Sequence, residues 1–266
     1  MSAERVLVLE GVHNFRDYGG YPVAGGGRLR RGLLWRSGQH HAATDSDLVR
    51  IAALNLASVF DLRSSKERTI HPCRRPEGFA ATVHTGEDPV RRESAEHAAP
   101  HVAAAQAPRM RDVASTRENM RNIYGTIAFR PELVAMMRRM VAELAEAKGA
   151  SLVNCMAGKD RTGAAVLAVH LATGVHRDDI VEDYLLTNTA GDVEARIAAG
   201  MATITETTGQ LDPEVLRVLM GVEPEYVESI FRMMEERHGS TDGYLREALG
   251  VDEAMKARLR AALVEA

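Results

Sequence analysis

The chain is short of several things that would send its chemistry elsewhere. It has 2 cysteines, Cys73 and Cys155, in 266 residues. Two thiols cannot build a disulfide framework, and they suit a reducing, cytoplasmic compartment. Basic charge is not in excess: 33 Lys and Arg stand against 37 Asp and Glu, a formal net charge of −4. A general nucleic-acid binder carries the opposite balance, so no nucleic-acid partner is expected. No apolar run approaches the ~18 residues of a membrane span, so no integral membrane segment is expected. The N-terminus, M-S-A-E-R-V-L-V-L-E, has no long apolar core of a secretory signal. Aromatic residues are only 5%, with a single tryptophan, Trp35. What is left, 45% hydrophobic and 26% charged, is the make-up of a globular protein long enough to bury one sizeable core.

Residues 11–32 are punctuated by Gly19-Gly20, Pro22 and Gly25-Gly26-Gly27 and read as loops and a hairpin. Leu33-Leu34-Trp35 is a short strand ending at Arg36-Ser37-Gly38. Thr44 is a good N-cap for a helix over roughly 45–54. Ala57 to Phe60 reads as a buried strand that puts Asp61-Leu62-Arg63 at its C-terminal end, the end that faces the site in an α/β sheet. Residues 86–116, with Pro89, Pro100 and Pro108 among alanines and charges, read as a mobile insertion or partly helical flap. Two helical patterns over 117–148 break near Pro131, with Gly149 at the expected C-cap. Ser151 to Asn154 is the strand that leads into Cys155, and residues beyond 161 read helical, broken at Gly174, Gly200, Pro213, Pro224 and Gly239. Strands before residue 155 and helices after it point to an α/β core, a central mostly parallel sheet flanked by helices with a helical C-terminal half, in a single domain over 1–266.

The run Val153 to Gly163, V-N-C-M-A-G-K-D-R-T-G, carries the chemistry. Strand, tight loop and helix start in that order make an anion cradle, in which the N–H groups of residues 156–161 turn toward one point and the helix dipole adds positive potential. Met156, Ala157, Gly158, Lys159 and Thr162 are the phosphate-binding candidates, and the Arg161 guanidinium matches two phosphate oxygens. A cysteine at the start of such a cradle is expected as a thiolate and faces a bound phosphate as nucleophile. Other readings of the run fail. A phosphate loop of the nucleotide-binding type needs glycine where Val153 stands and Ser or Thr where Asp160 stands. A redox or zinc pair needs a second cysteine nearby, so neither a metal site nor a cofactor is expected.

The string resembles the C-x5-R-[ST] loop of cysteine-dependent phosphatases. More narrowly, A-G-K-D-R-T-G is similar to the bacterial atypical tyrosine/phosphoinositide phosphatases. Asn14-Phe15-Arg16-Asp17 through Gly19-Gly20 resembles that family's N-F-R-D-x-G-G element, Arg36-Ser37-Gly38 its R-S-G element, and Asp61-Leu62-Arg63-Ser64 through Glu67 its D-L-R-S-x-x-E element. Tyr226 and Gly239 to Leu245 fit as well. The likeness spans most of the chain and is weakest over 86–116. One departure stands beside the loop: the family carries histidine before the cysteine, and this chain carries Asn154.

A cysteine-dependent phosphatase fold is therefore expected, with metal-independent hydrolysis of a phosphomonoester through phosphocysteine. The substrate is a phosphorylated protein, chiefly phosphotyrosine, or a phosphoinositide. Cys155 attacks phosphorus, Arg161 and the loop amides hold the oxygens, and Thr162 caps the helix or bonds the leaving thiolate. With Trp35 the only tryptophan, no W-P-D loop supplies the general acid. The resemblance implies Asp160 for that role, with Asp61 as a second candidate whose plainer role is bracing Arg63. Lys159 reads as a second cation at the cradle's rim, or as a solvated lysine; the resemblance ties it to inositol-phosphate headgroups. Arg16 and Asp17 read as organising the loop. Cys73 reads as incidental, or as a thiol that protects Cys155 by a disulfide. The competing class is a phosphate-recognition module with little turnover, motivated by Asn154.

Overall fold

The computed structural model describes residues 5–86, 112–194, 197 and 212–266. A five-stranded sheet runs in the order β1 (Arg16–Asp17), β3 (Leu34–Ser37), β6 (Ala150–Asn154), β4 (Leu56–Asp61), β5 (Thr82–Thr85). β3, β6, β4 and β5 are parallel, and only β1 runs against its neighbour. All four parallel strands therefore end on one edge, at Ser37, Asn154, Asp61 and Thr85, and the loops that follow them converge there. This is the α/β architecture read from the sequence.

β6 is buried along its whole length. Alternate side chains of a strand face opposite sides: Val153 and Phe60 join the large core, whereas Leu152 and Val59 join a smaller one with Val12, Phe15 and Ile51. The smaller core lies under α1 (Asp45–Ala52), whose N-cap Thr44 closes a capping box with Asp47. The next helix, α2 (Ser65–Ile70), opens with the same device, Ser64 and Glu67.

The large core gathers the remaining helices. α3 (Val113–Ile127) and α4 (Pro131–Leu144) are parted where the sequence predicts a break, with Pro131 at the first turn of the second. α5 (Asp160–Thr173) follows the cysteine loop and is enclosed all round; every residue but Leu171 is buried. α6 (Arg177–Leu185) and α7 (Thr187–Ala190) follow, then α8 (Pro213–Met220), α9 (Pro224–His238), α10 (Thr241–Leu249) and α11 (Glu253–Leu263).

Several boundaries differ from expectation. Residues 87–111 of the expected insertion, and Gly200, lie outside the described residues. Its last stretch is regular: Asp112 caps α3, so the helix begins at Val113 and not near 117. α4 ends at Leu144 with Ala145 as its cap, so Gly149 is no cap and leads instead into β6. The expected hairpin is present but short: an antiparallel bridge between Pro22 and Arg28, flanked by Gly20 N to Leu29 O (2.6 Å), Leu29 N to Tyr21 O (2.9 Å) and Val23 N to Gly27 O (3.2 Å). β2 (Arg28–Leu29) also pairs with β7 (Val264–Glu265), the one strand among the described residues of the helical half.

Candidate active site

Cys155 leaves the end of β6 and is buried. Residues 155–159 form the loop, and Asp160, Arg161 and Thr162 make the first turn of α5. The loop's shape is set by where its carbonyls go. Met156 O accepts from Gln39 N (3.1 Å), and Lys159 O accepts from Gly163 N (2.9 Å). Ala157 O accepts from Asn14 Nδ2 (3.2 Å). Gly158 O accepts from both Asn14 Nδ2 (2.8 Å) and Arg36 Nη2 (2.9 Å). In a trans peptide the N–H points opposite to the preceding carbonyl. With four carbonyls claimed from outside the cradle, the N–H groups of residues 157–160 are turned into it. Burial of these four carbonyls is tolerable because each has found a donor.

Gly158 sits at φ +65. A Cβ there would lie 2.4 Å from Ser37 C and O and 2.6 Å from Gly38 N. The loop backbone therefore lies directly against the end of β3, a contact only glycine permits.

Arg161 is fixed from the side. Its Nη1 and Nη2 donate to the two oxygens of Glu67 (2.7 and 2.8 Å), and Nη1 also reaches Leu62 O (3.1 Å). Burial alone would lower its pKa. The Glu67 hydrogen bonds, with the charges of Cys155, Glu67 and Asp160, outweigh it and hold the guanidinium above its ordinary range. Glu67 in turn is pushed up by burial but held lower overall by Arg161 and Ser64. Arg161 Nε and Thr162 Oγ1 are buried side-chain groups with no hydrogen-bond partner among the described residues.

The two acid candidates separate. Asp61 forms a bidentate pair with Arg63, Oδ1 to Nε at 2.8 Å and Oδ2 to Nη2 at 2.7 Å, and Oδ1 also accepts from Asn154 Nδ2 at 3.3 Å. Both of its oxygens are engaged by Arg63. Asn154, the departure from the resembled motif, is thereby part of this brace. Asp160 is buried in the first turn of α5 and accepts from the Tyr124 hydroxyl at 2.5 Å.

Lys159 corrects the sequence reading. It is neither a rim cation nor a solvated side chain: it is fully buried. Its Nζ donates to Leu219 O (2.5 Å) and Gly221 O (3.0 Å) at the end of α8, and lies 3.5 Å from Asp160 Oδ1. Long burial of an ammonium is paid for by those carbonyls, which are the negative end of a helix.

Residues 7–265 match the tyrosine phosphatase family. The chain belongs to that family. It is 34% identical over 255 residues to a Cupriavidus necator protein provisionally named a tyrosine-protein phosphatase, covering 93% of this chain and 85% of that one. It is 32% identical over 283 residues to the triple specificity protein phosphatase PtpB of Mycobacterium tuberculosis, covering 97% and 99%. The chain is a phosphatase, and a cradle of inward amides beside a fixed guanidinium is what a tyrosine phosphatase needs. Among the described residues no group of His, Cys, Asp and Glu is placed to hold a metal ion. Among the described residues no helix is long and apolar enough to cross a membrane.

Several residues of this tyrosine phosphatase site carried no assigned role in the sequence. Glu67 reads only as the last residue of the D-L-R-S-x-x-E element, with no role attached. Asp183, which anchors Arg16 and Arg36 (3.4 and 2.6 Å), sits in a charged helix indistinguishable by pattern from a solvated one. Tyr124 gave no signal. Arg16 organises the site as expected, through Asn14 and Asp183. Asp17 braces a nearby turn instead, accepting from Gly19 N and Gly32 N. Cys73 accepts from His40 N at 3.3 Å and is a free thiol, as is Cys155.

Proposed function

We propose that the protein hydrolyses phosphotyrosine-type monoesters through a phosphocysteine intermediate on Cys155. The carrying observation is that the carbonyls of Met156, Ala157 and Gly158 are claimed by Gln39, Asn14 and Arg36, and that of Lys159 by the helix that follows, which supports amides facing one point beside Arg161. Such preorganised donors stabilise charge on the equatorial oxygens without reorganising during the reaction.

In the first step the Cys155 sulfur attacks phosphorus in line. The S–P bond forms as the bond to the leaving oxygen breaks. Asp160, the carboxyl in the first turn of α5, gives that oxygen its proton. In the second step water attacks phosphorus, Asp160 takes a proton back, and the sulfur leaves as thiolate. Thr162 Oγ1, a buried donor with no partner among the described residues, bonds that sulfur. Arg161 spends its Nη groups on Glu67, which leaves Nε for the substrate. Asp61 with Arg63 and Asn154 holds the end of β4 to the end of β6.

The whole chain acting as one catalytic domain fits the single family match over 7–265. Two free thiols fit a cytoplasmic setting. Inositol-phosphate recognition gains nothing from Lys159, whose ammonium is committed to the α8 carbonyls. The test is Cys155→Ser assayed on a panel of phosphotyrosine peptides, phosphoserine peptides and phosphoinositides. Turnover should vanish with inorganic phosphate binding preserved, and phosphotyrosine should lead the panel. Near-parental rates in Cys155→Ser would overturn the mechanism, and phosphoinositides leading the panel would overturn the substrate reading.

A further inference from the structure

Arg16 and Arg36 are direct partners across the β1–β3 pair, and both side chains are buried. Like charges opposed on one face of a sheet repel, and burial removes the water that would screen them. Burial, with the Arg36 charge next, brings the Arg16 pKa down to about 10. The carboxylate between them is Asp183, on α6. Its Oδ1 accepts from Arg16 Nε (3.4 Å) and its Oδ2 from Arg36 Nη1 (2.6 Å). Its backbone carbonyl takes Arg16 Nη2 (2.8 Å), which also reaches Thr187 Oγ1 (3.3 Å). Burial would push the Asp183 carboxyl up; the two guanidinium charges outweigh it and hold the carboxyl well below the carboxylate range.

The far arms of the same two arginines hold the loop. Arg36 Nη2 donates to Gly158 O at 2.9 Å. Arg16 Nη1 donates to Asn14 Oδ1, which fixes the Asn14 amide so that Nδ2 meets Ala157 O and Gly158 O. None of the hydrogen bonds described for Asp183 reaches the loop itself. We propose that Asp183 is a positioning residue for phosphate binding, acting through Arg16 and Arg36 on the carbonyls of Ala157 and Gly158.

The physical chain is short. Without the carboxylate the two guanidinium groups separate. Gly158 O loses Arg36, and the Asn14 amide loses its lock. The peptide planes at 157–158 and 158–159 are then free to turn, which replaces an inward N–H with an inward carbonyl oxygen facing the anion. A folded protein with a misturned loop has weakened phosphate affinity; a protein that is only less stable does not.

The proposal rests on reading the loop as a phosphate cradle, so the test measures inorganic phosphate itself. Competitive inhibition by phosphate is measured for Asp183→Ala and Asp183→Asn, well below each melting temperature. Direct phosphate titration is run on Cys155→Ser with and without Asp183→Ala. The phosphate constant should rise about tenfold or more in Asp183→Ala, the scale of a lost charge-assisted hydrogen bond. Asp183→Asn, which keeps an acceptor, should recover part of it. A phosphate constant within about twofold of parental, a difference too small for a lost hydrogen bond, would make Asp183 a fold-only residue whatever the melting temperature does. Should Asp183→Ala not fold, Arg36→Lys carries the same test, since lysine keeps the charge but loses the fork that spans Asp183 and Gly158 O. An unchanged constant there overturns the proposal too. Cys155→Ser that binds no phosphate would instead refute the cradle reading, and this proposal with it.

Discussion

Replacing Gly158 by alanine isolates the loop geometry from its chemistry, because no reacting group is removed. The backbone there is at φ +65, where a Cβ costs roughly 1–2 kcal/mol. The added carbon would also meet Ser37 C and O at 2.4 Å and Gly38 N at 2.6 Å. Comfortable carbon contacts lie near ~3.5 Å, so relief requires a shift on the order of 1 Å. Ser37 ends β3, which is held by β1 on one side and β6 on the other, so it is the loop that must give. A displacement of about 1 Å at a catalytic site costs on the order of 10²-fold in rate. The expected result is therefore a loss of about 10²-fold in kcat/KM on nitrophenyl phosphate, with a weaker phosphate inhibition constant. Gly250→Ala is the control: it shares the left-handed backbone, at φ +72, but has nothing within 4 Å of the new carbon and lies in the C-cap of α10. It should lose roughly 1–2 kcal/mol of stability and leave kcat/KM alone. Parental kcat/KM and phosphate binding in Gly158→Ala would refute the claim that the loop's close approach to β3 sets the cradle.

Asp160→Asn should slow esters of poor leaving groups far more than nitrophenyl phosphate, as removal of a general acid requires; equal slowing of both would leave Asp160 a bracing role only. Lys159→Met should lower unfolding free energy by roughly 1–3 kcal/mol in a urea titration, because two α8 carbonyls lose their donor. An unchanged midpoint with a raised KM for a phosphoinositide would restore the rim reading. His40 is buried, bonds Ser37 Oγ through Nε2 at 2.9 Å, and burial lowers its pKa from 6.5 to about 3. The folded state then binds fewer protons than the unfolded chain between those values. Its contribution is full above pH 6.5 and is lost as pH falls toward about 3. The acid slope of stability over that window should flatten in His40→Gln, and a slope unchanged by the substitution would show that other groups set it.

The parts of the site that lie close together in sequence were legible, and those assembled from distant segments were not. The strand–loop–helix order around Cys155 could be read because Leu152-Val153, Gly158 and the apolar run from Ala164 each leave a local pattern. The parallel sheet followed from strands separated by helices. Thr44, Pro131, Gly174, Pro213, Pro224 and Gly239 marked helix ends because caps and breakers act over a few residues. Lys159 was misread because a lysine in a loop is expected in water, and nothing near it in sequence announces the two carbonyls 60 and 62 residues away. Asp183, 147 residues from Arg36, was invisible for the same reason. The partners of Asp61 and Asp160 were equally out of view: Arg63 takes both oxygens of the first, and Tyr124, 36 residues away, bonds the second.

The most direct test of the account is to find the phosphorus. The protein is mixed with excess nitrophenyl phosphate, quenched in acid within the first turnovers, digested and mapped by peptide mass spectrometry. A phosphoryl group should be found on the peptide bearing Cys155, forming at the rate of the initial burst and absent from Cys155→Ser. Steady turnover with no adduct at position 155, or an adduct on another side chain, would contradict it.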